Sequence, residues 1–180
     1  MRPDRAPALT APGRPTGPRQ PRFGFPETVD EVAARLVAAG VVTMGVGFLV
    51  TGWVGLLPVL AYGFTARVVS GPRFSPLALL VTRLVVPALG AAPRPVPGPP
   101  KRFAQGIGAT LTVAASIAAL GFGAIGVAQV LVAMLVAAAG LEAFLGLCLG
   151  CRIFAGLMRI GVIPPEVCER CDNLRGTPAR

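Results

Sequence analysis

Histidine is absent from this 180-residue chain, and Asp and Glu together number only 8. Without His there is no Ser-His-Asp or Cys-His nucleophile and no His-containing zinc site. So few carboxylates offer no pair for glycoside chemistry and no acidic cluster for magnesium. Charged residues make up 14% of the chain, against about 25% in an ordinary soluble domain. That is too little polar material to coat a water-facing surface, which argues against a soluble monomer. Lysine is nearly missing too: Lys101 is the one Lys, and Arg supplies the rest of the 17 basic residues. Arg in place of Lys, with abundant Ala, Gly, Val and Pro, is what a GC-rich bacterial genome tends to encode.

What is present is apolar: 53% of the residues are hydrophobic. The net charge of +9 raises nucleic acid as a partner. No aromatic-rich basic stretch supports that, and basic residues of a membrane protein collect in cytoplasmic loops facing anionic lipid. The lipid bilayer is therefore the expected partner, with no nucleic acid.

Residues 1–26 hold seven prolines and five arginines. Such a segment cannot bury enough surface to offset its chain entropy and reads as a disordered tail. It lacks the apolar core of a signal peptide. The membrane domain is expected over 27–160. Thr28 as N-cap and Glu31 three residues on fit a capping box. Leu36 through Ala66 then run for 31 residues without charge. One straight helix of that length would rise about 46 Å, against a hydrocarbon core about 30 Å thick. Two spans meeting near Gly52-Trp53 are expected instead. Ser75-Pro76 opens a further apolar stretch that Pro87 is expected to end. It is too short to span and suits a helix lying in the interface with Arg83 snorkelling outward. Residues 93–100 (PRPVPGPP) form a stiff extended linker. Phe103 through Leu141 carry no charge for 39 residues, enough for one span and most of a second, turning near Gly121-Phe122-Gly123. The last helix is expected to continue past Glu142 toward Met158, stopped by Pro164-Pro165. Residues 161–180 form a cytoplasmic Cys-x-x-Cys tail.

The fold class is thus all-α integral membrane, with four transmembrane helices as two hairpins joined by a basic cytoplasmic loop with an interfacial helix. The basic residues divide 6, 6 and 5 between the N-terminal segment, the central loop and the C-terminal segment, and neither hairpin turn has one. That pattern places both termini and the central loop on the cytoplasmic side of a bacterial inner membrane.

The 4 cysteines form two pairs, Cys148/Cys151 and Cys168/Cys171. Three readings stay open. The spacing suits a four-thiolate zinc site, with Cys148, Cys151, Cys168 and Cys171 as ligands that clamp the tail to the bundle. A reducing cytoplasm equally leaves the pairs free for dithiol chemistry. In that reading Cys148 and Cys151 sit near a helix C-terminus, where the dipole disfavours a thiolate, while Arg152 pulls the other way. Cys168, after Pro164-Pro165-Glu166, sits at a helix start and is the expected attacking thiol, with Cys171 resolving. The third reading is small apolar cysteines with no joint role.

Glu142 is the one acidic residue between Glu31 and Glu166. Ala138, Glu142, Gly146 and Gly150 recur every four residues and would share one helix face suited to close approach. Glu142 then accepts protons beside the thiols, lines a path for a small sulfur-containing anion, or is a buried carboxyl bonded to Thr110, Gln105 or Arg35. Gly106-Ile107-Gly108 lacks the Lys and Ser of a phosphate loop.

An Arg-flanked first hairpin, GPRFSP (71–76), PPKRFAQ (99–105), GLCLGC (146–151) and a closing CERC (168–171) together resemble domain-of-unknown-function family 4395, a bacterial integral-membrane family common in actinobacteria. The resemblance covers roughly residues 24–173 and carries no activity or catalytic residue with it. It implies an association with thioredoxin-like or sulfurtransferase proteins, and so thiol or sulfur chemistry.

Overall fold

The computed structural model describes residues 28–164 and 167. The tail 1–27, and with it Cys168 and Cys171, falls outside the described residues. The described chain is helical apart from one two-stranded ribbon, β1 (Thr28–Asp30) against β2 (Pro95–Pro97). The proline-rich linker is extended as expected, and its lack of N–H donors still leaves Val96 to pair with Val29.

This ribbon moves the first helix cap. Thr28 is held opposite Pro97, so it cannot fold back over the helix. Asp30 caps α1 (Glu31–Thr51) instead: its Oδ1 accepts from Val32 N–H at 3.1 Å and from Arg94 N–H at 3.0 Å. One carboxylate thereby satisfies a free helix donor and ties the linker to the start of α1.

The hairpin turns fall where glycine allows them. Gly52 ends α1 at φ 67°, a left-handed position that glycine adopts without strain, and α2 (Leu56–Ser70) follows. After a short 3-10 turn, Ser75 precedes α3 (Pro76–Leu80). Pro87 does not end this segment. The backbone stays helical through a π turn over Val81–Val85 into α4 (Val86–Leu89), and the π turn just before Pro87 is where the ladder adjusts to its missing N–H. Residues Leu56–Arg73 and Pro76–Leu89 meet at a 40° bend.

The second half repeats the plan. Helix α5 (Gly98–Ser116) runs through a π turn to Gly121, and α6 (Ile125–Leu145) returns. It then stops. Gly146 takes φ 67°, and α7 (Leu149–Arg159) starts afresh. The expected continuous helix to Met158 is therefore broken, and Gly146 and Gly150 do not share a helix face with Glu142.

Helices Glu31–Thr51, Gly98–Gly121 and Ile125–Leu145 are each long and apolar enough to cross a membrane, and the bent pair would make a fourth. Packing is interleaved: α1 lies chiefly on α6 and α2 on α5, while α5 also touches α6 and α7. Small residues set these contacts, as van der Waals packing must where lipid supplies no hydrophobic drive. Gly45 of α1 abuts Val136, and Gly108 of α5 abuts the Phe64 ring. Phe48, Leu57, Ala115, Ala128 and Val132 form one core cluster. Val50, Val59, Val130 and Phe122 face outward, as lipid-facing side chains would. The two turns, residues 52–55 and 122–124, carry no charge, and the polar side chains gather at the opposite end.

Candidate functional site

At that end α6 unwinds, and the way it unwinds decides the chemistry. Gly146 N–H bonds Glu142 O at 3.1 Å and Leu147 N–H bonds Leu141 O at 3.1 Å, closing the helix in a Schellman-type turn. Arg35 of α1 satisfies two further carbonyls, donating to Ala143 O at 3.2 Å and Phe144 O at 3.1 Å. Cys148 then takes an extended conformation as N-cap of α7, and its carbonyl accepts from Arg152 N–H at 3.1 Å.

The expected electrostatics are thus reversed. Cys148 does not sit at the negative end of a helix but at the positive start of one, where a thiolate is favoured. Cys151 lies one turn on. Both are free thiols, with Cys148 buried and Cys151 half-buried. The Cys151 thiol donates a hydrogen bond to Cys148. This lowers the Cys148 pKa against the opposing effect of burial. The same hydrogen bond, followed by burial, pushes the Cys151 thiol up. Cys148 is the sulfur prepared to ionise first.

Beneath the thiols lies an ion pair between Lys101 of α5 and Glu142 of α6. The partner of Glu142 is Lys101, not Thr110, Gln105 or Arg35. Thr110 bonds back to Gly106 O, Gln105 serves Arg67, and Arg35 caps α6. Both charges of the pair act on both thiols. Close packing fixes this neighbourhood. A Cβ at Gly150 would lie 2.5 Å from Ala104 Cβ and 2.6 Å from its Cα, so only glycine lets α7 seat against the first turns of α5. The rings of Phe103 and Phe154 meet at 5.7 Å a little further along.

A second polar group adjoins the pair. Arg67 is 5% exposed and donates through Nε to Gln105 Oε1 at 2.8 Å and through Nη1 to Ser75 Oγ at 3.1 Å. Its guanidinium lies 4.3 Å from the centre of the Phe64 ring. The sequence reading did not single out Arg67, Ser75 or Lys101 as site residues. One signal was available: the lone lysine of the chain stands four residues before Gln105, on one face of one helix.

Of the four cysteines, Cys148 and Cys151 come together, and Cys168 and Cys171 lie outside the described residues. Among the described residues no group of three or more His, Cys, Asp or Glu side chains could hold a metal ion, and two of the expected zinc ligands fall outside them.

The model of the Domain of unknown function (DUF4395) family matches residues 29–159. The chain belongs to the DUF4395 family. No curated protein and no solved structure matches it. The DUF4395 match takes in Arg67, Lys101, Glu142, Cys148 and Cys151 and stops before Cys168. Within this chain, the family domain therefore contains the ion pair and the first thiol pair but not the tail pair.

Proposed function

We propose that this protein performs thiol-disulfide exchange at the cytoplasmic face of a bacterial inner membrane. In this reading four spans form two hairpins, with Leu56–Arg73 and Pro76–Leu89 as one broken span. The basic residues of the two terminal segments and of the linker before α5 support both termini and the thiols lying inside. The observation that carries the reading is Cys148 as the N-cap of α7 with a second free thiol, Cys151, one turn on in the same helix.

The Cys148 thiolate attacks one sulfur of a partner disulfide. A mixed disulfide forms, and the other partner sulfur leaves as a thiolate that takes a proton from water. Cys151 gives up its proton and attacks the Cys148 sulfur. The internal disulfide closes, and the second partner sulfur leaves with that proton. Two electrons pass to the partner, and a soluble dithiol protein of the thioredoxin-like class returns them by the reverse steps. Glu142, held by Lys101, relays that proton from Cys151 to the leaving sulfur. Cys168 and Cys171 would pass equivalents between the soluble partner and the membrane-edge pair. A sulfurtransferase partner would use the same Cys148 thiolate, accepting a sulfane sulfur in place of the mixed disulfide.

Purified full-length protein in lipid nanodiscs, challenged with glutathione disulfide, tests this. Cys151→Ser should accumulate a glutathione adduct on Cys148, and Cys148→Ser should leave Cys151 unmodified over the same time. Stoichiometric zinc in the purified protein, with all four thiols unreactive, would overturn the exchange reading in favour of the clamp.

A further inference from the structure

Arg67 and Lys101 are two buried cations, and among the described residues Glu142, taken by Lys101, is the carboxylate that acts on both. From the other packed elements, Glu31 lies with Arg35 beside Gly146, and Asp30 caps α1. Among the described residues Arg67 has no carboxylate at ion-pair distance. A cation left uncompensated among apolar helices is costly, and such groups mark functional sites. The donors around it also outnumber the acceptors. The guanidinium uses Gln105 and Ser75, and its remaining hydrogens meet no further acceptor among the described residues. The same holds for the Ser75 hydroxyl hydrogen, and Ser75 is 0% exposed.

These donors line a partly open cavity of about 50 Å³, walled elsewhere by Gly63, Leu60, Met44 and Leu77, with the exposed Val59 and Tyr62 at its edge. A single water needs about 10–15 Å³ on the same measure. Gly63 keeps the space open: a Cβ there would stand 3.6 Å from Arg67 Nη1 and 3.8 Å from Ser75 Oγ, inside the cavity and in ordinary contact with both.

We propose that this cavity between α1, α2 and α3 binds a monovalent anion of halide size, held by Arg67 and the Ser75 hydroxyl. The anion supplies the missing negative charge and the missing acceptor together. Its walls are otherwise apolar, which favours a small, weakly hydrated ion over phosphate or sulfate. The site is independent of the thiol chemistry, since none of its lining residues is a cysteine.

Bromide is the probe. Full-length protein in zwitterionic nanodiscs is titrated calorimetrically with bromide against gluconate at constant ionic strength, with the unfolding temperature followed in parallel. Saturable bromide binding with a rise in unfolding temperature is expected. Gly63→Ala fills the cavity without a clash and Ser75→Ala removes one donor. Each should weaken bromide by roughly tenfold or more, Ser75→Ala through the lost hydrogen bond to a charged group and Gly63→Ala through the lost space, while the unfolding temperature in gluconate changes little for Gly63→Ala. Equal behaviour of bromide and gluconate in the parent, or bromide affinity unchanged in both variants, would overturn the assignment and leave the cavity to water.

Discussion

Gly150 of α7 rests directly on Ala104 of α5, so close that a single methyl group would have no room. That contact presses the start of α7, and with it Cys148, against the turn of α5 that carries Lys101. Gly150→Ala should therefore tilt α7 away. Overpacking of this kind costs about 1–3 kcal/mol. Thermal unfolding should fall accordingly, and the Cys148 thiol, buried in the parent, should be alkylated faster by a neutral reagent. Unchanged alkylation would mean that the seat of α7 does not shield the sulfur.

The ion pair gives a second test. Lys101→Met alone leaves Glu142 half-buried and unpaired, which should cost up to the roughly 3–5 kcal/mol of breaking a fully buried pair. The double variant Lys101→Met with Glu142→Gln removes both charges at similar volume. It should recover most of the loss, because a buried pair is often no better than a neutral replacement. Unfolding in denaturant separates the two cases.

The thiols predict a pH dependence. Cys148 is held below its ordinary pKa chiefly by the hydrogen bond from Cys151, so more of it is thiolate at neutral pH than the usual value near 8.5 allows. Cys151→Ala removes the donor. The pH profile of Cys148 alkylation should move upward, and the rate at pH 7 should fall. The sign is fixed: losing a bond that favours the charged form raises the pKa of an acid. In the parent, Cys148 should be modified ahead of Cys151.

Arg35 makes a fourth case. It caps the carbonyls of Ala143 and Phe144 where α6 ends. Arg35→Met should loosen the break at Gly146, at about 0.5–1.5 kcal/mol for the lost hydrogen bonds to carbonyls that are part-buried or exposed. Hydrogen exchange should rise over residues 143–152 more than in the rest of α6.

Much of the frame was legible in the sequence. Gly52-Trp53 and Gly121-Phe122-Gly123 stand in long uncharged runs that exceed one bilayer thickness, and length alone demands a turn there. The break at Gly146 was not legible. GLCLGC contains neither proline nor charge, and its small residues fit a continuous helix as well as an interrupted one. The turn at Gly146 that ends α6 is capped by Arg35, more than a hundred positions away. The consequence reached the site: reading Cys148 at the end of a helix rather than the start inverted the dipole and pointed to Cys168 as attacker. Glu142 drew attention as an isolated acid, but its partner depends on how α5 and α6 pack, which local pattern does not encode. Arg67 was counted only as a loop charge, because an uncharged run ends at it.

The central claim is that Cys148 and Cys151 form one working dithiol. Mild oxidation of the reduced full-length protein in nanodiscs, followed by proteolysis and mass spectrometry of the linked peptides, tests it most directly. A Cys148–Cys151 disulfide that a thioredoxin-like dithiol reduces again is the expected product. Recovery of both cysteines as unlinked thiols, with the protein otherwise oxidised, would contradict it.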